Sequence, residues 1–203
     1  MIAYSYLSVE GEEDGGVVAR DAAVDRGQDA VQVAAVLHER VQLLVLGQLA
    51  LCVFQVRDLL VCLHGNPIAT GMRGYPVRMG REPDERDCNR LCLRLHGYAR
   101  GQDVAEALGL RILTVVERDG RITGYSTGIH FRGHTVAETN EDARALVAAA
   151  PDLPEPGLLM PAGNGDLLRW ALDHGLRITQ PLSLMTRGFY QAPEGAFLPS
   201  IHA

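Results

Sequence analysis

The sequence predicts an α/β (α+β) domain, a mixed and mostly antiparallel sheet flanked by helices, behind a poorly specified amino-terminal segment. Three observations predict it. Strand-like and helix-like runs alternate from about residue 75 onward, an Asp-Gly pair separates two β-rich runs, and residues 1–74 lack clear periodicity and turn signals.

"PVRMGRE" (76–82) reads as a first strand, and Pro83 suits the first turn of a helix over "EPDERDCNRLCLRLHG", whose acids lie near its start. Cys88, Leu91, Cys92 and Leu95 recur at three- and four-residue spacing, the stripe of a helix with one buried face, and Gly97 can end it. "QDVAEALG" follows as a short second helix. "RILTVVE" (111–117) and "RITGYSTGIHF" (121–131) are β-rich runs joined by "RDGR", whose Asp-Gly is the strongest hairpin signal in the chain. "HTVAETNEDARALV" (134–147) then passes from strand to helix, and "PDLPEPG" breaks the chain. "LLMP", "GDLLRWALDHG" and "RITQPLSLM" complete the series as strand, helix and strand.

Residues 1–74 behave differently. "EGEEDGG" reads as a flexible lead, and a helix is predicted over "AVQVAAVLHERVQLLVLGQLAL" (30–51), with nothing further assigned. The segment is either an accessory helical piece or not a natural domain, as a start site set too early or a frame error upstream would make it. The working division is therefore 1–74 and 75–203.

Composition excludes several classes. The formal charge is -6, and all 19 basic residues are arginines with no basic stripe, so the electrostatic footprint of a nucleic-acid binder is missing. "VQLLVLGQLALCVFQV" (41–56) is shorter than the roughly 20 residues of a membrane helix and contains three glutamines, which favours a buried element. The start has no basic region followed by an apolar one, and the four cysteines show no CxxC spacing, so a cytoplasmic protein with reduced, packed thiols is expected.

The passage from strand to helix at 134–147 is where an α/β protein can hold a phosphate, because first-turn N–H groups are unpaired and the helix dipole is positive there. This start instead carries Glu138, Glu141 and Asp142. Thr139 with Asp142 makes a variant of the capping box, or Asn140 is the cap, and the acids satisfy the helix's own dipole. An arriving pyrophosphate would meet two or three carboxylates, and like charges so placed cost several kcal/mol.

The order strand, two helices, hairpin, strand, helix, strand, helix, strand resembles the GNAT superfamily of N-acyltransferases. "RITGYSTGIHFRGHTVAETNEDARALV" and "NGDLLRWALDHGLRITQPLSLMTRGFYQAPEGAFLPSI" look like the carboxy-terminal domain of bacterial tandem GNAT-like proteins, over about residues 75–203. The resemblance implies acetyl-CoA as cosubstrate and no metal, with a free amine attacking the thioester in a V-shaped gap between splayed central strands. In the family the fourth strand feeds a loop Q/R-x-x-G-x-G/A around the CoA pyrophosphate; the corresponding "VAETNEDA" has neither Gly nor Arg. An Asn after the fifth strand is matched by Asn164, the cofactor-side position. Ala171 stands seven residues later, where a tyrosine often protonates the departing thiolate.

Catalytic candidates for such a reaction are Glu117, with Glu138 or Glu141, as a base for the amine, and Tyr125 as a replacement proton donor. The alternatives are a solvated charge at a hairpin edge and a packed tyrosine whose hydroxyl finds one partner. "HFRGH" puts His130, Arg132 and His134 on one face if the strand continues, with His96 nearby, as zinc ligands or as exposed histidines. Cys88 and Cys92 are one helical turn apart, a thiolate pair or a buried stripe. Trp170 and Leu167 seal the sheet rather than stack on adenine, and Phe189, Tyr190 and Phe197 on the tail cover a companion domain, a second copy, or the chain's own sheet. Two functions remain: an N-acyltransferase acting on a small-molecule amine, or a non-catalytic GNAT-like domain used for interaction, as a homodimer or beside a catalytic GNAT domain.

Overall fold

A computed structural model describes residues 31–35 and 54–201. In chain order its elements are β1 (Val31–Ala35), β2 (Gln55–His64), β3 (Val77–Met79), α1 (Asp84–His96), α2 (Gly101–Gly109), β4 (Thr114–Arg118), β5 (Arg121–Ser126), β6 (Thr135–Ala137), α3 (Asn140–Ala148), β7 (Leu158–Pro161), α4 (Gly165–Asp173), β8 (Arg177–Thr186) and β9 (Ala196–Leu198). They form a five-stranded sheet ordered β3-β4-β5-β6-β9 and a four-stranded sheet ordered β1-β8-β2-β7. Each of these ladders is antiparallel.

The punctuation read from the sequence acts as expected at several points. Asp119 (φ 53°) and Gly120 (φ 72°) both take the left-handed conformation that a two-residue hairpin turn needs, joining β4 to β5. Gly97 ends α1 at φ 79°, where its amide donates to Leu93 O at 3.0 Å. The α1 stripe Cys88, Leu91, Cys92 and Leu95 packs with Val104 and Ala107 of α2 on one face of the first sheet, against Val115, Ile122 and Tyr125. On the other face, α3 contributes Ala143, Leu146 and Val147 to a cluster shared with Val116, with Val61 and Leu63 of β2, with β7 and with Leu167 of α4.

Two predicted strands are shorter than expected. β4 begins at Thr114 because the amides of Ile112 and Leu113 turn back to Ala107 O, at 2.9 and 3.2 Å, with Arg111 at φ 58°. β5 ends at Ser126, where Thr127 and His134 close a loop on each other: Thr127 N donates to His134 O at 2.9 Å and His134 N to Thr127 Oγ1 at 3.0 Å. The strand therefore does not continue through "HFRGH", and His130, Arg132 and His134 share no strand face.

The helix predicted over 30–51 is corrected where it can be followed. Residues 31–35 are the strand β1, paired with β8 from Val31↔Thr186 to Ala35↔Leu182; the remainder lies outside the described residues, as does most of the 41–56 run. Val31 and Val33 flank Gln32, a two-residue alternation that a long β8 edge can pair, and pairing outweighs weak local helix preference. β2, also from the 1–74 segment, lies between β8 and β7 and bonds to both. Its Leu60 and Cys62 face one cluster while Val61 and Leu63 face the other. A strand buried on both faces reads as a continuous apolar run without a period.

Candidate functional site

The four elements β6, α3, β7 and α4 meet where the sequence suggested an anion site. Thr139 is extended (φ -133°, ψ 163°) and is the cap: its Oγ1 accepts from Asp142 N at 3.2 Å and donates to Asp142 Oδ2 at 2.7 Å. Asp142, 0% exposed, also accepts from Arg118 at 2.9 and 3.0 Å and from Thr123 Oγ1 at 2.7 Å. Glu138 accepts from Arg121 and Arg94, and these guanidinium groups, Arg121 foremost, hold its carboxyl below the usual range. The acids are thus neutralised by arginines of α1, β4 and β5 rather than by the dipole of α3 alone. Local sequence spacing carried no signal of those partners, which lie 17 to 44 residues away.

Asn164 caps α4, its Oδ1 accepting from Leu167 N at 3.2 Å. Its Nδ2 donates to Asn140 Oδ1 at 2.8 Å, and Asn140 Nδ2 donates to Asn164 Oδ1 at 3.2 Å and Asp166 Oδ2 at 2.9 Å. Arg144 of α3 reaches the same Asp166 carboxylate at 2.5 Å. The starts of α3 and α4 therefore bond to each other. Ala171 is fully buried in the core beneath α4.

No ladder joins β6 to β7 among the described residues; the place beside β6 is taken by β9. Thr135↔Leu198, Val136↔Phe197 and Ala137↔Ala196 pair, and Ala196 and Leu198 are buried in the cluster that holds α3 and β7. The tail that carries β9 is fastened at both ends, Glu194 N donating to Leu95 O at 2.8 Å and Ile201 N to Phe131 O at 3.3 Å. Gly195 (φ 73°) enters so closely that a Cβ there would lie 2.3 Å from Ala137 O. The tail thus packs on its own sheet, Tyr190 lies against the outer cluster of the second sheet, and Phe189 stays 77% exposed.

The two catalytic candidates are not brought together. Glu117 follows a bulge in β4 and accepts from Arg78 Nε at 2.8 Å. Tyr125 is 0% exposed beneath α1, its hydroxyl 3.0 Å from His134 Nε2, and burial pushes its pKa well up. Glu141 lies 3.6 Å from Arg144. His130 Nδ1 accepts the amides of Arg132 and Gly133 at 3.2 and 3.1 Å, and His134 is buried. Among the described residues no group of three or more His, Cys, Asp or Glu could hold a metal ion. Cys88 and Cys92 line the α1 core, where burial raises both thiols, Cys88 to about 12. Among the described residues no helix is long and apolar enough to cross a membrane.

Among solved structures the chain is similar to a candidate acetyltransferase from Pyrococcus horikoshii, with a TM-score of 0.54 and 14% identity over 85% of this chain and 58% of that one. A GCN5-related N-acetyltransferase from Sphaerobacter thermophilus matches at TM-score 0.47 and 10% identity, covering 82% of this chain and 62% of that one. A GNAT-family acetyltransferase from Colwellia psychrerythraea matches at 0.42 and 12%, covering 78% and 65%. The likeness to the first of these shows that the chain shares that protein's fold. The chain spans less than two thirds of the length of each of these proteins. No protein-family model and no curated protein matches it by sequence.

The resemblance to GNAT proteins seen in the sequence implies acyl-CoA, and the residues at the two expected places do not fit it. At the start of α3 the Asp142 amide is capped by Thr139, the approach lacks glycine, and a pyrophosphate would have to displace paired carboxylates. In the gap, the main-chain edge of β6 is already bonded to β9.

Proposed function

We propose that this GNAT-fold chain is non-catalytic and serves as an interaction and substrate-shaping partner of a catalytic GNAT domain, carried on the same longer protein or on another. The observation that carries this reading is the β6–β9 ladder: the chain's own tail occupies the gap in which a GNAT enzyme would work. The self-capped α3 and the Asn140–Asn164 pair support it, because both helix starts spend their polar groups on each other. The alternative, transfer of an acyl group to an amine with Glu117 and Tyr125 as base and acid, has Glu117 engaged by Arg78 and Tyr125 sealed under α1.

Calorimetric titration of the full chain with acetyl-CoA at low salt separates the two. No heat and no thermal shift at millimolar ligand is the expected result. Binding at micromolar strength, about 8 kcal/mol, would overturn the proposal and restore the enzyme reading.

A further inference from the structure

His96, the last residue of α1, has a role that neither the fold nor the proposed function accounts for. It is 5% exposed, and its Nε2 is buried with no hydrogen-bond partner. Its ring meets Phe197 of β9 edge-on at 5.7 Å between centroids and lies 6.0 Å from the Tyr98 ring. The tail converges on this same end of α1. Glu194 N bonds the carbonyl of Leu95, and Gln191 packs so closely on Gly97 that a Cβ there would lie 2.4 Å from its Oε1.

An orphaned polar atom in a packed site calls for an explanation. A neutral imidazole can sit in this apolar contact; an imidazolium cannot without water or an acceptor. The charged and titratable groups around it are Arg100 and Tyr98 from the turn after α1, His134 ahead of β6, Cys92 one turn earlier on α1 and, through its main chain, Glu194 of the tail. Arg100 already engages Asp103 at 2.5 Å, and its charge opposes a positive charge on His96. Glu194 is the one acid that the tail brings to this end of α1.

We propose that His96 is a protonation-sensitive latch on the carboxy-terminal strand: neutral, its ring holds Phe197 and with it β9 against β6; protonated, it frees the tail while the rest of the fold persists. β9 is the element that gives way because it has only three residues and pairs on one side. The residues leading into it, 187 to 195, form no helix or strand and are mostly exposed, so they can swing out. Release would uncover the main-chain edge of Thr135, Val136 and Ala137 and make it available for another strand. The latch does not depend on whether the chain binds acyl-CoA, so the two ideas fail separately.

Burial, reinforced by Arg100, lowers the His96 pKa to about 4. With an ordinary value of about 6.5 in the released state, opening should grow toward tenfold per pH unit below 6.5 and reach about 150-fold by pH 4. Amide hydrogen exchange on the full chain from pH 7.5 to 4.5, corrected for intrinsic rates, reads this directly. The expected result is a growing opening at Glu194, Ala196 and Leu198 that exceeds the opening at Val115 and Tyr125 at every pH. In His96→Phe, which keeps a ring but cannot take a proton, the tail should stay closed throughout; His96→Gln provides the same test should the phenylalanine variant fold poorly. Tail protection independent of pH in the unaltered protein, a tail-specific slope surviving in either variant, or a tail opening no larger than the core's would each overturn the latch.

Discussion

Asn140 and Asn164 exchange amide hydrogen bonds, 2.8 Å one way and 3.2 Å the other, and so lock the starts of α3 and α4 together across 24 residues of chain. Each amide satisfies a neighbour that would otherwise compete for water, and Asn164 caps its own helix besides. Replacing either by Ala should cost about 1 to 2 kcal/mol of stability, the upper end for Asn164, which also loses its cap. In a double-mutant cycle read by urea denaturation, a coupling of about 0.5 kcal/mol or more is expected; strict additivity would mean that the pair contributes nothing as a pair.

Asp142 is the hub beneath this pair. Asp142→Asn keeps the shape but removes the charge that faces Arg118. Breaking a fully buried pair costs about 3 to 5 kcal/mol, and Arg118 keeps some access to water, so about 2 to 3 kcal/mol is expected here. Arg118→Leu should then cost less when combined with Asp142→Asn than alone. A chemical-denaturation series on the four proteins checks both statements.

Acid should weaken the fold in two stages. Burial holds His96 and His134 neutral by lowering their pKa values, so below about pH 6.5 the unfolded chain takes up protons that the folded one refuses. Stability then falls with pH by up to about 1.4 kcal/mol per unit for each histidine, until the folded values are reached. Asp84 and Glu138, held low chiefly by Arg78 and Arg121, contribute stability above the ordinary carboxylate range and lose it as pH falls through that range. Urea midpoints from pH 8 to 4 should decline from pH 6.5 and steepen below about 4.5; a flat profile between pH 7 and 5 would mean that both histidines titrate as free groups.

Gly195 admits no side chain. At φ 73°, with Ala137 O where a Cβ would stand, Gly195→Ala should displace the entry to β9 and cost well over about 1 kcal/mol. The loss should appear first at the tail, as faster proteolysis near Phe189 and Tyr190. Unchanged cleavage there, with a lowered melting temperature, would place the damage elsewhere.

From residue 75 onward, turn residues and helical stripes carried enough local information to mark Gly97, the Asp119–Gly120 turn and the Thr139 cap as punctuation. The misreadings share a physical cause. β1 and β2 owe their conformation to partners more than a hundred residues away, and β9 is three residues of apolar chain whose strand form exists only beside β6. At the site, the substitution of acids for a glycine loop was visible, whereas Arg94, Arg118 and Arg121, which make those acids tolerable, come together only in the fold.

The position of β2 has a practical consequence for anyone trimming the gene. A protein begun at residue 75 would lack the strand that bonds both Leu158–Pro161 and Arg177–Thr186. With β1 lost as well, three rows of main-chain donors and acceptors would then face solvent beside uncovered Leu159, Leu182 and Leu184, a template for sheet-to-sheet association between molecules. The shorter product should precipitate or form higher oligomers, and a synthetic peptide spanning residues 55–64, added in trans, should return it to solution.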